Sequence, residues 1–283
     1  MSTTHPPVVV AIVDKQPSAL RVAVDEARSF GSPLRVVHAT ALAAQSAEFY
    51  LGAGAAMLDE LRIAGQAVLD GARHLIEGLA PSLDVTYVLT EQAPLDALRS
   101  EAEHARIMIV GADDVPWVER LMRTRIAGYL ATHAPCPVIV VPELEFPSGP
   151  DGEVVVALDA DASTSGPLTL AFEEADARGC LLHVLLSMPP GTLASDAEET
   201  RATLVEALAA WRADYPDVAV LSGFPVDLTT PALVRATQSA ELVVVGRPRH
   251  HGIPLSLSRP LAMKVLADAQ CPVAVVPMDY RGA

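Results

Sequence analysis

In this chain of 283 residues, the side chains able to do chemistry collect behind two glycines that end apolar runs, Ile107-Met108-Ile109-Val110-Gly111 and Leu242-Val243-Val244-Val245-Gly246. The segment Gly246-Arg247-Pro248-Arg249-His250-His251-Gly252 is cationic, and Arg247 and Arg249 could attract an anion through charge-assisted hydrogen bonds. It could equally be a solvated basic loop on an acidic protein. Behind Gly111 stand Asp113 and Asp114 instead, and like charges in contact cost about 1 kcal/mol per pair even in a water-like dielectric. Asp14 and Asp159 end the first apolar run of each half; such aspartates either line a cleft or bond locally to the turn that follows. His38 and His183 close the second runs, as cleft-lining residues or as satisfied structural histidines. The eight histidines show no i, i+4 metal spacing, and adjacent His250 and His251 would point apart on a helix or strand. No Gly-x-Ser-x-Gly elbow, Cys-x-x-Cys pair or Gly-x-Gly-x-x-Gly loop is present. The expectation is a binding protein without a metal, not an enzyme.

The elements that must position these residues occur twice. Ala134-Pro135-Cys136-Pro137-Val138-Ile139-Val140-Val141-Pro142 follows the first glycine, and Ala269-Gln270-Cys271-Pro272-Val273-Ala274-Val275-Val276-Pro277 follows the second, at a constant offset of 135 residues (111 to 246, 136 to 271). Continuous apolar runs of four to six residues read as central parallel strands: Val8 to Val13, Leu34 to His38, Val85 to Leu89, Arg106 to Gly111 and Val138 to Val141. Between them helices are expected over Ser18 to Phe30, closed by Gly31, over about Glu48 to Leu79, over Leu95 to His104 and over Leu121 to Thr132. The second half retraces this path from Val154 to Leu158, a helix to Arg178, and Leu181 to Leu186. Asp14 and His38 map onto Asp159 and His183 at an offset of 145 (14 to 159, 38 to 183), which makes the second copy ten residues shorter after His183. The turn-rich segment Glu143 to Gly152 separates domains 1–146 and 147–283. Five strands per half, alternating with helices, imply right-handed crossovers and two doubly wound α/β sheets, with ligands beyond the carboxyl ends of the strands at the switch point beside the first strand.

Composition narrows the function classes. A net charge of −15 argues against a nucleic-acid surface, which needs clustered Lys and Arg. No run of about 18 apolar residues and no signal peptide is visible, so a cytoplasmic protein without a membrane partner is expected. Three cysteines, Cys136, Cys180 and Cys271, lie in or beside apolar strands and read as buried small hydrophobes.

Together, the Val-Val-Val-Ala start of each half, Leu-Arg-Val-Val-His-Ala at 34–39, Val-Gly at 110–111 and 245–246, and Ala-Pro-Cys-Pro-Val-Ile-Val-Val-Pro at 134–142 resemble the universal stress protein family in its tandem form. The resemblance implies two Rossmann-like domains, each a five-stranded parallel sheet of order 3-2-1-4-5 with helices on both faces. It also implies a homodimer or paired copies joined through the fifth strands, Val138 to Val141 and Val273 to Val276. Pairing those strands would remove exposed edges.

ATP-binding members of the family carry Gly-x2-Gly-x9-Gly-[Ser/Thr] after strand four. Glycines there admit phosphate to backbone N–H groups, and the next helix adds its dipole. The matching positions are Gly111, Asp114, Thr124 and Arg125 in the first copy, and Gly246, Arg249, Arg259 and Pro260 in the second. Only the leading glycine survives in each. The expected role is therefore a stress-response regulatory scaffold with ATP binding lost or altered and no resident cofactor. The region Gln45 to Gly65 is either a surface for a regulatory protein partner or a packed helix. The alternative is an adenine-nucleotide or anion sensor working only in the second copy, through Asp159, Gly246, Arg249 and Ser258 or Ser256, with Asp14 and Gly111 the corresponding candidates in the first.

Overall fold

The computed structural model describes residues 5–40, 55–112, 126–143, 152–159, 165–187, 191, 193–224, 230–247, 265, 266 and 268–282. The chain divides into two compact units, Met1–Glu143 and Leu144–Gly282. The domain boundary expected at 146/147 falls within residues 144–151, outside the described residues.

The first unit runs β1 (Val8–Ala11), α1 (Pro17–Ser29), β2 (Leu34–Ala39), α2 (Ala55–Leu79), β3 (Val85–Thr90), α3 (Pro94–Ala102), β4 (Ile107–Ala112) and β5 (Val138–Pro142). A further helical segment covers 126–133. All pairings are parallel and the order is β3-β2-β1-β4-β5. Val8, Val9, Val10, Ile107, Met108 and Ile109 are fully buried, which is why these runs are continuously apolar. Helix α1 starts at Pro17, whose fixed φ suits the first turn and whose missing N–H is not needed there. It buries Leu20, Ala23, Val24 and Ala27. Gly31 ends it at φ +58°, and Ser32 N–H then donates to Ala27 O at 2.9 Å, a closure only glycine makes without strain. Helix α2 is continuous despite its glycines. Its inward seam is Leu69, Ala72 and Ile76, whereas 59–64 are exposed. Of the expected Gln45 to Gly65 region, residues 45–54 lie outside the described residues and 55–65 belong to α2.

The second unit runs β6 (Glu153–Asp159), α4 (Ser165–Arg178), β7 (Leu181–Ser187), α5 (Ala194–Asp214), β8 (Val220–Gly223), α6 (Thr230–Ala236), β9 (Leu242–Gly246) and β10 (Val273–Val276). Its order is β8-β7-β6-β9-β10, again parallel. Gly179, at φ +64°, closes α4 as Gly31 closes α1, with Cys180 N–H donating to Ala175 O.

The registers correct the expected correspondence between halves. Val8 pairs with both Leu34 and Ile107, and Val154 with both Leu182 and Leu242. The offset is therefore 146 for the first strand (8 to 154), 148 for the second (34 to 182) and 135 for the fourth (107 to 242). His183 stands at the level of Arg35, and the counterpart of His38 is Leu186. Burial agrees, since His38 and Leu186 are buried while Arg35 and His183 are half-buried. Asp159 ends β6 opposite Ser187, at the level of Val13, whereas Asp14 lies three residues beyond β1. The second unit is thus thirteen residues shorter between its second and third strands, not ten, and two longer before its first helix.

Candidate functional site

In each sheet the order reverses beside the first strand, so the crevice for a ligand opens between the carboxyl ends of β1 and β4, and of β6 and β9. In the first unit the chain leaves β1 and turns at 13–16 before α1. Gln16 closes that turn, its Oε1 accepting Val13 N–H at 3.0 Å and its carbonyl accepting Leu20 N–H at 3.1 Å. The side chain is 2% exposed and lies against Gly111. A Cβ on Gly111 would stand 2.9 Å from Gln16 Cδ and nearer still to Nε2. Gly111 is thus matched to an amide of its own chain. Glu143, the residue after β5, reaches back so that its carboxylate accepts Ser18 N–H at 2.9 Å. The positive end of the α1 dipole already faces an anion. Asp14 is exposed beside this turn.

His38 is buried, with Nδ1 2.9 Å from Ile12 O. A carbonyl can only accept, so Nδ1 carries the proton and the ring ties β2 to the end of β1. The structural alternative for this histidine is the one observed. His183 instead faces Glu153, Nδ1 to Oε2 at 3.4 Å, near the start of β6 and away from the crevice.

The second crevice is covered by different groups. A Cβ on Gly246 would stand 2.7 Å from Met278 Sδ and 3.2 Å from Pro167 Cγ. Met278 follows β10 as Glu143 follows β5, and its carbonyl accepts both Gly166 N–H and Ser165 Oγ–H at 3.3 Å. Gly166 is the register counterpart of Ser18, so both units cap the first helix with the same position, by a carboxylate in one and a backbone carbonyl in the other. Asp159 lies two residues past the last β6–β9 pair, Ala157 with Val245, which puts its backbone level with Arg247, the residue after Gly246. Arg249, Ser256 and Ser258 fall outside the described residues, as do Asp113, Asp114, Thr124, Arg125, Arg259 and Pro260. Of the candidate residues, the structure therefore places Asp14 and Gly111 at one crevice and Asp159 and Gly246 at the other. The covering residues Gln16, Glu143, Pro167 and Met278 were not apparent from sequence. Their only common signal is position, each lying within two residues of the start of a first helix or of the end of a fifth strand.

Buried charge gathers at the opposite ends of the strands. In the second unit Glu174 (1% exposed) accepts from Arg178 Nη2 at 3.0 Å, and Glu241 (4%) lies 3.6 Å from Arg178 Nη1. The register counterparts in the first unit are Glu26, Phe30 and Arg106, with the Arg106 guanidinium 3.9 Å above the Phe30 ring. All three cysteines are buried and none forms a disulfide. Burial pushes the Cys271 thiol up to about 12 and, with help from Glu241, also raises that of Cys180, so neither is a nucleophile at neutral pH.

The model of the universal stress protein family matches residues 6–142 and again 152–277. The chain belongs to the universal stress protein family. A universal stress protein of Mycobacterium tuberculosis (strain ATCC 25618 / H37Rv) is 28% identical over 285 residues, covering 99% of this chain and 100% of the relative. Another from that strain is 26% identical over 208 residues, 70% of each chain. The crystal structure of a universal stress protein from Archaeoglobus fulgidus DSM 4304 superposes with a TM-score of 0.73 at 14% identity, covering 98% of this chain and 96% of that one. That likeness shows the fold. The protein is a tandem, Rossmann-like universal stress protein, a stress-response protein by family. No described helix is long and apolar enough to cross a membrane.

Proposed function

We propose that this universal stress protein is a stress-response regulatory scaffold whose crevices have lost or altered ATP binding, and that it works by contact with a regulatory protein partner, not by catalysis. One observation carries this: the glycine that each copy retains lies under a side chain of its own unit, Gln16 over Gly111 and Met278 over Gly246. A phosphate brought to either glycine must first displace that side chain. On this reading no cofactor is resident, the protein is cytoplasmic, and copies associate through the fifth strands. Thermal unfolding with Mg-ATP, AMP, cyclic AMP and phosphate tests it, because a ligand at 100 times its Kd raises stability by about 2.7 kcal/mol. The expected result is no shift at millimolar concentration.

A second reading, an adenine-nucleotide or anion sensor confined to the second unit around Asp159, Gly246, Arg249 and Ser258, has one observation in its favour. The Glu143 carboxylate occupies the first helix of unit one, but a neutral carbonyl takes that place in unit two. An anion at the start of the first helix would meet the Glu143 carboxylate in the first unit and, among the described residues, a neutral carbonyl at the same place in the second. A saturable shift that vanishes in Arg249→Ala would replace the scaffold reading with this one.

A further inference from the structure

Away from both crevices, the second unit has a pocket of about 570 Å³ between α4, α5 and the chain after β10, lined by Ser165, Thr169, Trp211, Asp279, Tyr280 and Arg281. That size lies within the range of small-molecule sites. Its aromatic wall is unusual in a chain with only 4% aromatic residues. Trp211 stacks on the fully buried Phe172, ring centroids 5.7 Å apart and planes within 14°, and Tyr215 packs on Phe172 at 5.6 Å. The first unit serves as an internal control. The closing hydrogen bonds Ala80 N–H to Ile76 O and Tyr215 N–H to Trp211 O are equivalent, so the registers match Ile76 with Trp211, Ala80 with Tyr215 and Val24 with Phe172. Val24, Ile76 and Ala80 are buried and fill this corner of the fold with aliphatic groups. The fold does not require aromatic residues here, yet the second unit has three of them at these positions and leaves Trp211 lining a pocket.

The polar groups define what would sit against that ring. Ser165 Oγ–H already donates to Met278 O, Thr169 Oγ1–H to Ser165 O at 2.8 Å, and Tyr280 O–H to Glu173 Oε2 at 3.2 Å. The charged groups are Arg281, a donor of forked N–H groups suited to a carboxylate, and Asp279, an acceptor suited to an ammonium, on either side of Tyr280. The Tyr280 to Glu173 bond and the Met278 carbonyl on α4 hold this segment in place.

We propose that the pocket binds a small aromatic zwitterion of the class of a free aromatic amino acid, its ring on Trp211, its carboxylate at Arg281 and its ammonium at Asp279. The site is separate from the glycine crevices, so it stands or falls independently of the scaffold reading. L-Phenylalanine is the probe, followed through the Trp211 indole N–H resonance, one of two in the chain, and through calorimetric titration. A saturable change is expected, with benzoate and phenethylamine each binding at least about tenfold more weakly, because each lacks one charge-assisted contact. Arg281→Ala, at an exposed position, is expected to weaken phenylalanine about tenfold or more without changing the melting temperature, and Trp211→Ile, which installs the first unit's residue, to abolish the calorimetric heat of binding. No saturable change at tens of millimolar phenylalanine, benzoate binding as tightly as phenylalanine, or unchanged affinity in Arg281→Ala would each overturn the proposal.

Discussion

Gly111→Ala tests whether Gln16 fills the first crevice. The new methyl would stand 2.9 Å from Gln16 Cδ and closer to Nε2, where ordinary van der Waals contact needs about 3.5 Å or more. The amide must therefore retreat. It is not free to do so cheaply, because its Oε1 holds Val13 N–H at 3.0 Å and the side chain is 2% exposed. Losing that hydrogen bond costs about 1 kcal/mol, and overpacking a closed site adds about 1 to 3 kcal/mol. A loss of about 2 to 4 kcal/mol is expected from the denaturant midpoint of the transition that carries the first unit, with reduced exchange protection of the Val13 amide. In Gln16→Ala the added methyl finds room, so the double variant should be less destabilised than the sum of the singles by about 1 to 2 kcal/mol. Gly246→Ala makes the comparison: its methyl meets the far end of Met278, a flexible thioether that can move aside, and a smaller cost, about 1 kcal/mol, is expected. Additivity of Gly111→Ala and Gln16→Ala within about 0.5 kcal/mol would refute the claim that the two residues share one space.

Three further outcomes follow from named contacts. Glu143→Ala removes the carboxylate from Ser18 N–H and should lower stability by about 1 kcal/mol in thermal unfolding, as loss of a helix cap does. Arg178→Met leaves Glu174 and Glu241, 1% and 4% exposed, as a buried like-charged pair; a loss of about 3 kcal/mol or more is expected in urea titration. Burial raises the Cys271 thiol to about 12 from an ordinary 9.0, so the folded state keeps it neutral while the unfolded state ionises it. The contribution is fully present below the unfolded value and is lost as pH rises toward 12, about 1.4 kcal/mol by pH 10. Denaturant midpoints at pH 8 and pH 10 should show a fall that Cys271→Ala reduces by that amount.

The elements were legible because their signals are local. Continuous apolar runs marked strands buried on both faces, and Gly31 marked the end of α1 by the left-handed turn it makes at φ +58°. Register was not legible for the same reason. Along Val8 to Val13 or Leu181 to Leu186, sliding by one or two residues changes no hydropathy, so the aspartates and histidines served as anchors and set His183 against His38. The pairing of Val154 with Leu182 puts His183 level with Arg35, a polar position of the same half-buried kind. At the candidate site, Gly111 and Gly246 were visible as strand-end glycines, but what lies over them was not. Gln16 and Met278 arrive from distant parts of the chain, and nothing in a glutamine before a proline, or a methionine after one, announces that it will pack on a particular glycine.

The duplication separates substitutions that keep a unit folded from those that do not. At the buried charge cluster the changes are reciprocal. Where the first unit has a phenylalanine after α1 and an arginine before β4, Phe30 and Arg106, stacked on one another, the second has Arg178 and Glu241, and Arg178 there pairs with both Glu241 and the buried Glu174. At the helix caps the change is also compensated, Glu143 with Ser18 in one unit and the Met278 carbonyl with Gly166 in the other. Compensation of this kind is what packing demands, since a buried charge or helix end left unanswered costs several kcal/mol. The exchange of Val24, Ile76 and Ala80 for Phe172, Trp211 and Tyr215 is different. It replaces side chains buried within the first unit by a set that leaves Trp211 lining a pocket with Arg281 and Asp279, so part of a large apolar ring gives up burial worth about 25 cal/mol per Å². A fold shared by both units offers no reason for that loss, whereas a ligand that covers the ring does.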